Sequence, residues 1–285
     1  MGNFFTKHLG KISLFFGLIG AILLIINIAG LFIPLRNPEI YSEEKVGFEN
    51  DITLTNDEAI KLLAEDLPRK EYIIQANEVV NQSIAHYWDD EGIDKYNLRI
   101  PFYKNYILYG MSFVVPSIYQ KYEFCNYEKA IERGAGICSQ HAIALTNILN
   151  RHGIESKIIG LDGHVVSTAL VDETNNEWWV LDPDYGIIIS EDIETIERNP
   201  KIIESYYLKK YPMETVQLLE SLYEEDGNIV YPTGVKNYVD CNWKKISFRK
   251  ISYIMKWIIP TSLIAFYLLS ISQKRLTNLI KKNND

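Results

Sequence analysis

Three separated stretches of this 285-residue chain carry residue types that could do covalent chemistry together: Gly136-Ile137-Cys138-Ser139-Gln140-His141, Gly163-His164-Val165-Val166, and Val180-Leu181-Asp182-Pro183-Asp184-Tyr185-Gly186. A cysteine attacks a carbonyl as the thiolate, so it needs a proton acceptor at hand, and an imidazole in that role needs a third group to fix its tautomer. Cys138, His164 and Asp182 supply nucleophile, base and orienting acid in that order. The rival base is His141, three residues beyond Cys138 on the same helix face, with no obvious Asp behind it. His86 and His152 have no supporting context. Cys138, His141, His164 and Asp182 could be counted as four metal ligands, but no Cys-x-x-Cys or His-x-x-x-His framework accompanies them. No metal and no cofactor are expected.

These side chains need elements to hold them. Ala142, Leu145, Ile148 and Leu149 recur at helical spacing after Cys138, and Gly153 follows the last turn as a left-handed cap. Cys138 is therefore predicted in a first turn, where the helix dipole and unpaired amides favour a thiolate, with Gly134 and Gly136 leaving room for close approach of the backbone. His164 begins one apolar run and Asp182 ends another, both predicted as strands. Between them 172–177 is turn-like, so the strands should pair as a hairpin. A turn centred on Thr174 and Asn175 sets residue 164 near 185 and residue 182 near 167, and a shorter register or a bulge would bring His164 and Asp182 closer.

From Tyr127 to Gly186 the chain resembles the transglutaminase-like superfamily, in which a Cys at a helix start is followed by a His and an Asp on successive strands. The Gly-Ile-Cys stretch, Gly153-Ile154, Gly163-His164 and Trp179 through Gly186 fall where that family would put them. Val165 and Val166 depart from the aromatic residue the family often carries after its His, so the resemblance speaks to the three reacting residues more than to a substrate. It implies an α+β, papain-like core with N-terminal helices packed on an antiparallel sheet. It also implies thiol-mediated acyl transfer on amide bonds: hydrolysis with water as acceptor, transamidation with an amine. The oxyanion would be held by the Cys138 amide and a donor from upstream, with Asn105 and Tyr106 as candidates and Gln140 in support. The alternative is a non-catalytic domain that keeps the fold and binds a partner or polymer at the cell envelope.

Residues 12–35 contain no Asp, Glu, Lys or Arg and are long enough to cross a bilayer as a helix, whereas a cleaved signal peptide would be shorter and end at small residues. Residues 251–273 form a second such stretch with Lys256 as its one charge, placed to reach back to the interface. Lys7 and Lys11 before the first, and Lys274, Arg275, Lys281 and Lys282 after the second, predict cytoplasmic termini, although Lys244, Lys245, Arg249 and Lys250 weaken the asymmetry. The expected division is tail 1–11, span 12–35, linker 36–50, extracytoplasmic domain 51–250, span 251–273 and tail 274–285. The net charge is −8, and residues 36–250 hold 22 basic against 36 acidic side chains, a net −14. That surface disfavours nucleic acid and anionic headgroups and leaves a peptide, protein or envelope polymer as substrate, with the bilayer touched through the two helices.

Of the three cysteines, Cys125 and Cys241 form the pairing that spares Cys138, and an oxidising compartment would permit it; two buried thiols are the alternative. Thr55 to Glu58 should cap a short helix that Pro68 stops, and a longer helix should run from Glu71 to about Trp88. The Tyr- and Phe-rich stretch 96–128 would line a cleft or fill a core. Asn81-Gln82-Ser83 fits a glycosylation acceptor but sits within that longer helix. Helical stretches at 191–210 and 214–225 carry no readable motif.

Overall fold

The computed structural model describes residues 2–41, 52–87, 92–224 and 228–284. The chain divides into two units, one made of residues 1–34, 100–115 and 247–285, the other of 35–99 and 116–246. Residues 100–115, expected within the domain, belong with the apolar helices instead. The end of the first unit's opening segment also moves: Leu35 and Ile40 are buried in the second unit, and Arg36 donates to the carbonyls of Leu54 and Ser83 (2.9 Å each) and of Ile131. The expected linker is thus domain from its first residue, because a guanidinium can satisfy several orphan carbonyls at once. Its remainder, 42–50, lies outside the described residues.

In chain order, α1 spans Gly2–Phe32, α2 Asn56–Leu63 and α3 Arg69–Ser83. The predicted cap is present: the Thr55 hydroxyl accepts from the Glu58 amide, and the Glu58 carboxylate accepts from the Thr55 amide at 2.9 Å. Helix α3 stops short of its expected end. Ile84 turns extended, and β1 (Ala85–His86) pairs in parallel with β2 (Ala135–Gly136). A long-range backbone ladder wins there over local periodicity. Then come α4 (Gly92–Lys95), α5 (Tyr106–Val114), α6 (Pro116–Tyr119) and α7 (Tyr127–Arg133), which Gly134 ends at φ +69°.

Helix α8 (Cys138–Arg151) leads to β3 (Ser156–Leu161), β4 (His164–Asp172), β5 (Glu177–Asp182) and β6 (Ile187–Ile189). The remaining elements are α9 (Ile193–Arg198), α10 (Glu204–Tyr207), α11 (Met213–Leu222), β7 (Ile229–Tyr231) and α12 (Trp243–Asn284). The sheet is antiparallel throughout, in the order β6-β5-β4-β3-β7. Ala142 and Ile143 of α8 pack on Ile158 on one face, together with Val235, Tyr238 and Cys241. On the other face Ile159, Val166 and Val180 meet Ile196, Ile203, Tyr207 and Leu219 from the C-terminal helices. The protein is therefore α+β with helices on both sides of an antiparallel sheet.

The hairpin of β4 and β5 forms as expected, with a shift of register. Ser167 faces Leu181, and Ala169 faces Trp179, but Asp172 faces Glu177, so the register slips by one residue between Leu170 and Asp172. Continued by one step, the inner register sets Asp182 opposite Val166, which puts it on the same face as His164. Without the bulge Asp182 would face Ser167 and point the other way, because side chains alternate strictly along a strand.

Among the described residues two helices are long and apolar enough to cross a membrane, 10–32 in α1 and 243–276 in α12. Gly17 lets α1 approach the Tyr267 ring and Gly20 the Pro260 carbonyl, each at 2.7 Å from where a Cβ would stand. Lys256 turns inward within this unit. It is buried and donates to the Lys104 carbonyl at 2.8 Å, while the Asn27 side chain donates to the Lys256 carbonyl at 2.5 Å.

Cys125 and Cys241 are joined in a disulfide that closes a loop of 116 residues. Removing it with paired Cys→Ser substitutions should cost about 2–5 kcal/mol, read as a drop in Tm on the order of 10 °C. Equal Tm values for variant and parent would show that the loop is held by packing alone. Tyr96, Tyr122 and Phe124 are buried, so within this unit the aromatic stretch fills core.

Candidate active site

Cys138 is the first residue of α8, with its amide among the unpaired donors of the helix start and Ile137 preceding it in extended backbone, φ −101° and ψ 177°. The His164 ring is close enough to act electrostatically on its thiol. His164 opens β4, and its Nε2 lies 2.9 Å from Oδ2 of Asp182, the last residue of β5. With Nε2 taken by the carboxylate, Nδ1 is the ring atom left for the thiol. His164 and Asp182 are thus joined by a hydrogen bond, with the Cys138 thiol within electrostatic reach of the imidazole.

Asp182 is fully buried and held by four donors. Besides His164, the Tyr207 hydroxyl donates to Oδ2 at 2.6 Å, and the amides of Asp184 and Tyr185 donate to Oδ1 at 3.1 and 3.2 Å. Tyr207 in turn contacts the Tyr223 hydroxyl at 3.1 Å, and the Tyr185 ring sits edge-on to His164 with centroids 5.5 Å apart. Burial and the Asp182 charge push both Tyr207 and Tyr223 well above the ordinary tyrosine range, so they act as neutral donors. The C-terminal helices, which carried no motif in sequence, therefore deliver a direct support to the acid.

Burial opposes a charge on His164, but the Asp182 charge and hydrogen bond, helped by the thiol, outweigh it and hold its pKa well above the ordinary value. Burial likewise pushes the Cys138 thiol up, and the neighbouring His164 pulls against that rise without cancelling it. Such a pair can pass a proton from sulfur to nitrogen when a carbonyl enters. Cys138 itself is 6% exposed.

His141 has a carboxylate behind it after all: Asp184 Oδ1 is 3.4 Å from its Nδ1. Asp184 also takes the Nδ1 of His86 at 2.7 and 2.8 Å, and all three side chains are fully buried. Burial lowers the His141 pKa against the pull of Asp184, while His141 and His86 overcome the burial of Asp184 and keep its carboxyl below the ordinary range. What excludes His141 as the base is its hydrogen bonding. Its Nδ1 lies 3.0 Å from the Ile137 carbonyl and its Nε2 2.7 Å from the Ile84 carbonyl, so the ring is held between two backbone acceptors and the single N–H of its neutral form serves one of them.

The four-ligand grouping of Cys138, His141, His164 and Asp182 therefore divides in two, each imidazole with its own aspartate from the turn Asp182-Pro183-Asp184. Ligand atoms of His86, His141 and Asp184 lie within 4.8 Å of one another, close enough to surround a cation, but the His141 contacts close the group on itself. Asn81 holds the turn from outside, donating to the carbonyls of Pro183 (3.0 Å) and Asp184 (2.9 Å). For His86 no local sequence signal existed; the doubled aspartate was the one hint.

Each residue expected to support the oxyanion has hydrogen-bond partners of its own. Asn105 lies in the other unit, where its side chain caps α5 and donates to Ser252 at 3.0 Å, and the Tyr106 hydroxyl donates to the Lys256 carbonyl at 3.3 Å. Gln140 Oε1 accepts from the Phe124 amide at 2.7 Å and from Arg133 at 2.9 Å, and its Nε2 donates to the Phe124 carbonyl at 2.9 Å. Gly136 makes this possible, because a Cβ there would stand 2.5 Å from Gln140 Cβ. Gly136→Ala should therefore cost about 1–3 kcal/mol in thermal melts and slow thiol alkylation at Cys138; unchanged melting would mean that Gln140 can move aside.

Comparison with protein-family models, with curated proteins and with solved structures finds no match.

Proposed function

We propose that this chain is a membrane-tethered cysteine enzyme with a transglutaminase-like, papain-like core, carrying out thiol-mediated acyl transfer on amide bonds with water as the acceptor. The observation that carries the reading is the hydrogen bond between His164 and Asp182, with the Cys138 thiol within electrostatic reach of the same ring. His164 takes the thiol proton as sulfur attacks the carbonyl, and the new imidazolium faces the Asp182 carboxylate. Collapse of the tetrahedral intermediate expels the amine, which leaves with the proton from His164, and a thioester remains. Water, deprotonated by the same imidazole, then releases the acid and restores the thiol. Asp182 does not itself need to take a proton.

Tethering through α1 and α12 with both termini cytoplasmic puts the domain outside the cytoplasm, and the Cys125–Cys241 disulfide supports that compartment. Peptides, proteins or peptide-bearing envelope polymers are then the accessible substrates.

The second reading is a non-catalytic binding or scaffold domain at the envelope, and the observation in its favour is the 6% exposure of Cys138. Labelling with a thiol-directed chloroacetamide separates the two. An enzyme should be alkylated at Cys138, with the rate cut at least about tenfold in His164→Ala because the thiolate then lacks its proton acceptor. A wild type that resists labelling at Cys138 while the fold is intact would decide for the scaffold. Addition of a primary amine to a turnover assay reports whether transamidation competes with hydrolysis.

A further inference from the structure

One stretch of the first unit has the character of neither a span nor a domain helix. Residues 105–120 contain no Asp, Glu, Lys or Arg, and α5 lies within them. At 1.5 Å per residue its 9 residues cover about 14 Å, under half of a hydrocarbon core of about 30 Å, so it cannot cross. The chain enters this unit at Ile100 and leaves it after Val115, coming from the domain and returning to it. Within α5 only Leu108 and Ser112 are buried. Phe102 just before it, and Phe113 and Val114 at its end, are 40%, 61% and 73% exposed. A helix that faces water carries charge on that side, as α2 does with Asp57, Glu58 and Lys61. The exposed side of α5 carries none.

The start of α5 is fixed to both apolar helices. The apolar stretch of α1 runs to Phe32, and Gly30, just inside that end, is pressed against the Tyr103 carbonyl with no room for a Cβ. On α12, Pro260 has no N–H for the Lys256 carbonyl one turn before it. Asn27 of α1 and the Tyr106 hydroxyl donate there instead, at 2.5 and 3.3 Å. Asn105 donates to Ser252 at 3.0 Å, and Lys256 donates to the Lys104 carbonyl at 2.8 Å. The Tyr253 and Trp257 rings flank the Lys256 ammonium, each centroid 5.3 Å away. Aromatic residues of this kind collect where a bilayer meets water.

We propose that α5 is an interfacial helix, seated in the phospholipid leaflet on the domain's side with Phe102, Phe113 and Val114 among the acyl chains below the headgroups. This rests on the tethering reading above. The level of attachment names the occupant. An uncharged face, bonded to two bilayer-crossing helices close to the end of the α1 apolar stretch, meets lipid there to a depth of about 5–10 Å. The domain's own chain thus dips to the membrane between residues 99 and 116, a third contact beside α1 and α12.

The full-length chain in phosphatidylcholine vesicles tests this, with a nitrobenzoxadiazole fluorophore on one introduced cysteine. A Cys138→Ala background removes the free thiol and keeps the disulfide. Labels at Val114→Cys on α5, at Leu18→Cys within α1 and at Asp57→Cys on α2 are compared, with nitroxide-bearing lipids as quenchers. A nitroxide near the headgroup should quench the Val114 label by about twofold, and more than a nitroxide near the chain end does. The order should reverse at Leu18, and the Asp57 label should be unaffected. Phe102→Cys should repeat the Val114 result. Quenching at Leu18 without quenching at Val114 overturns the interfacial helix and leaves the tether standing. A Val114 label that is blue-shifted yet unquenched puts a second copy of this chain or another protein over that face, and overturns it too. So does a Val114 label quenched best from the chain end, which belongs to a deeper segment. No quenching at any position overturns the tether and the interfacial helix together.

Discussion

Cys138→Ala should lower turnover by on the order of 10⁴- to 10⁶-fold, with the melting temperature changed little, because removing a covalent nucleophile takes away the pathway rather than one of its supports. The side chain is small and sits at a helix start with no side-chain cap to lose. The measurement is single-turnover release of amine from a peptide amide, beside circular dichroism of the same preparation. Residual activity near the wild-type level in a folded variant would remove sulfur from the mechanism. Cys138→Ser is the sharper control, since it keeps a small polar side chain beside His164 but replaces the thiol with a hydroxyl of far higher pKa. It should be nearly as inactive.

Asp182→Asn has the second largest expected effect. The carboxylate accepts from His164, Tyr207 and two backbone amides, and an amide side chain has one oxygen for those four donors and turns an NH₂ toward the rest. His164 would lose both its orientation and the charge that raises its pKa, so kcat should fall by about 10³- to 10⁴-fold. The sign of the pH effect follows from that raised pKa. An imidazole that loses an anionic partner deprotonates at lower pH, so the limb of kcat/KM that His164 controls should move toward acid in the variant. A buried donor left facing a donor costs about 1–3 kcal/mol, so the variant should also melt earlier. A variant that keeps the wild-type profile would show that Asp182 serves the fold and not the base.

The residues with the chemistry were legible because each brings its own local frame: a cysteine before an amphipathic helix, a histidine and an aspartate on the arms of a predicted hairpin. What stayed hidden depended on contacts between distant segments. Helix periodicity carried α3 toward Trp88, and the β1–β2 ladder to residues 135–136 ended it at Ser83. His141 looked bare of a carboxylate because Asp184 lies over forty residues downstream. Asn105 and Tyr106 were placed by distance along the chain from Cys138, and the fold gives them to the unit of apolar helices. The disulfide stood as one of two alternatives, and the approach of Cys125 to Cys241 decided between them.

The slip of register in β4 and β5 sets different rules for gaining and losing residues in two adjacent places. Length changes in the tip, 173–176, leave the pairs from Ser167 to Leu170 untouched, so natural variants there can lengthen or shorten freely. One residue added or removed between Val166 and Val171 would rotate the imidazole of His164 to the opposite side of the sheet from its acid. Homologous chains should therefore vary in loop length at the tip and be invariant in length along the arm, whatever their sequence identity.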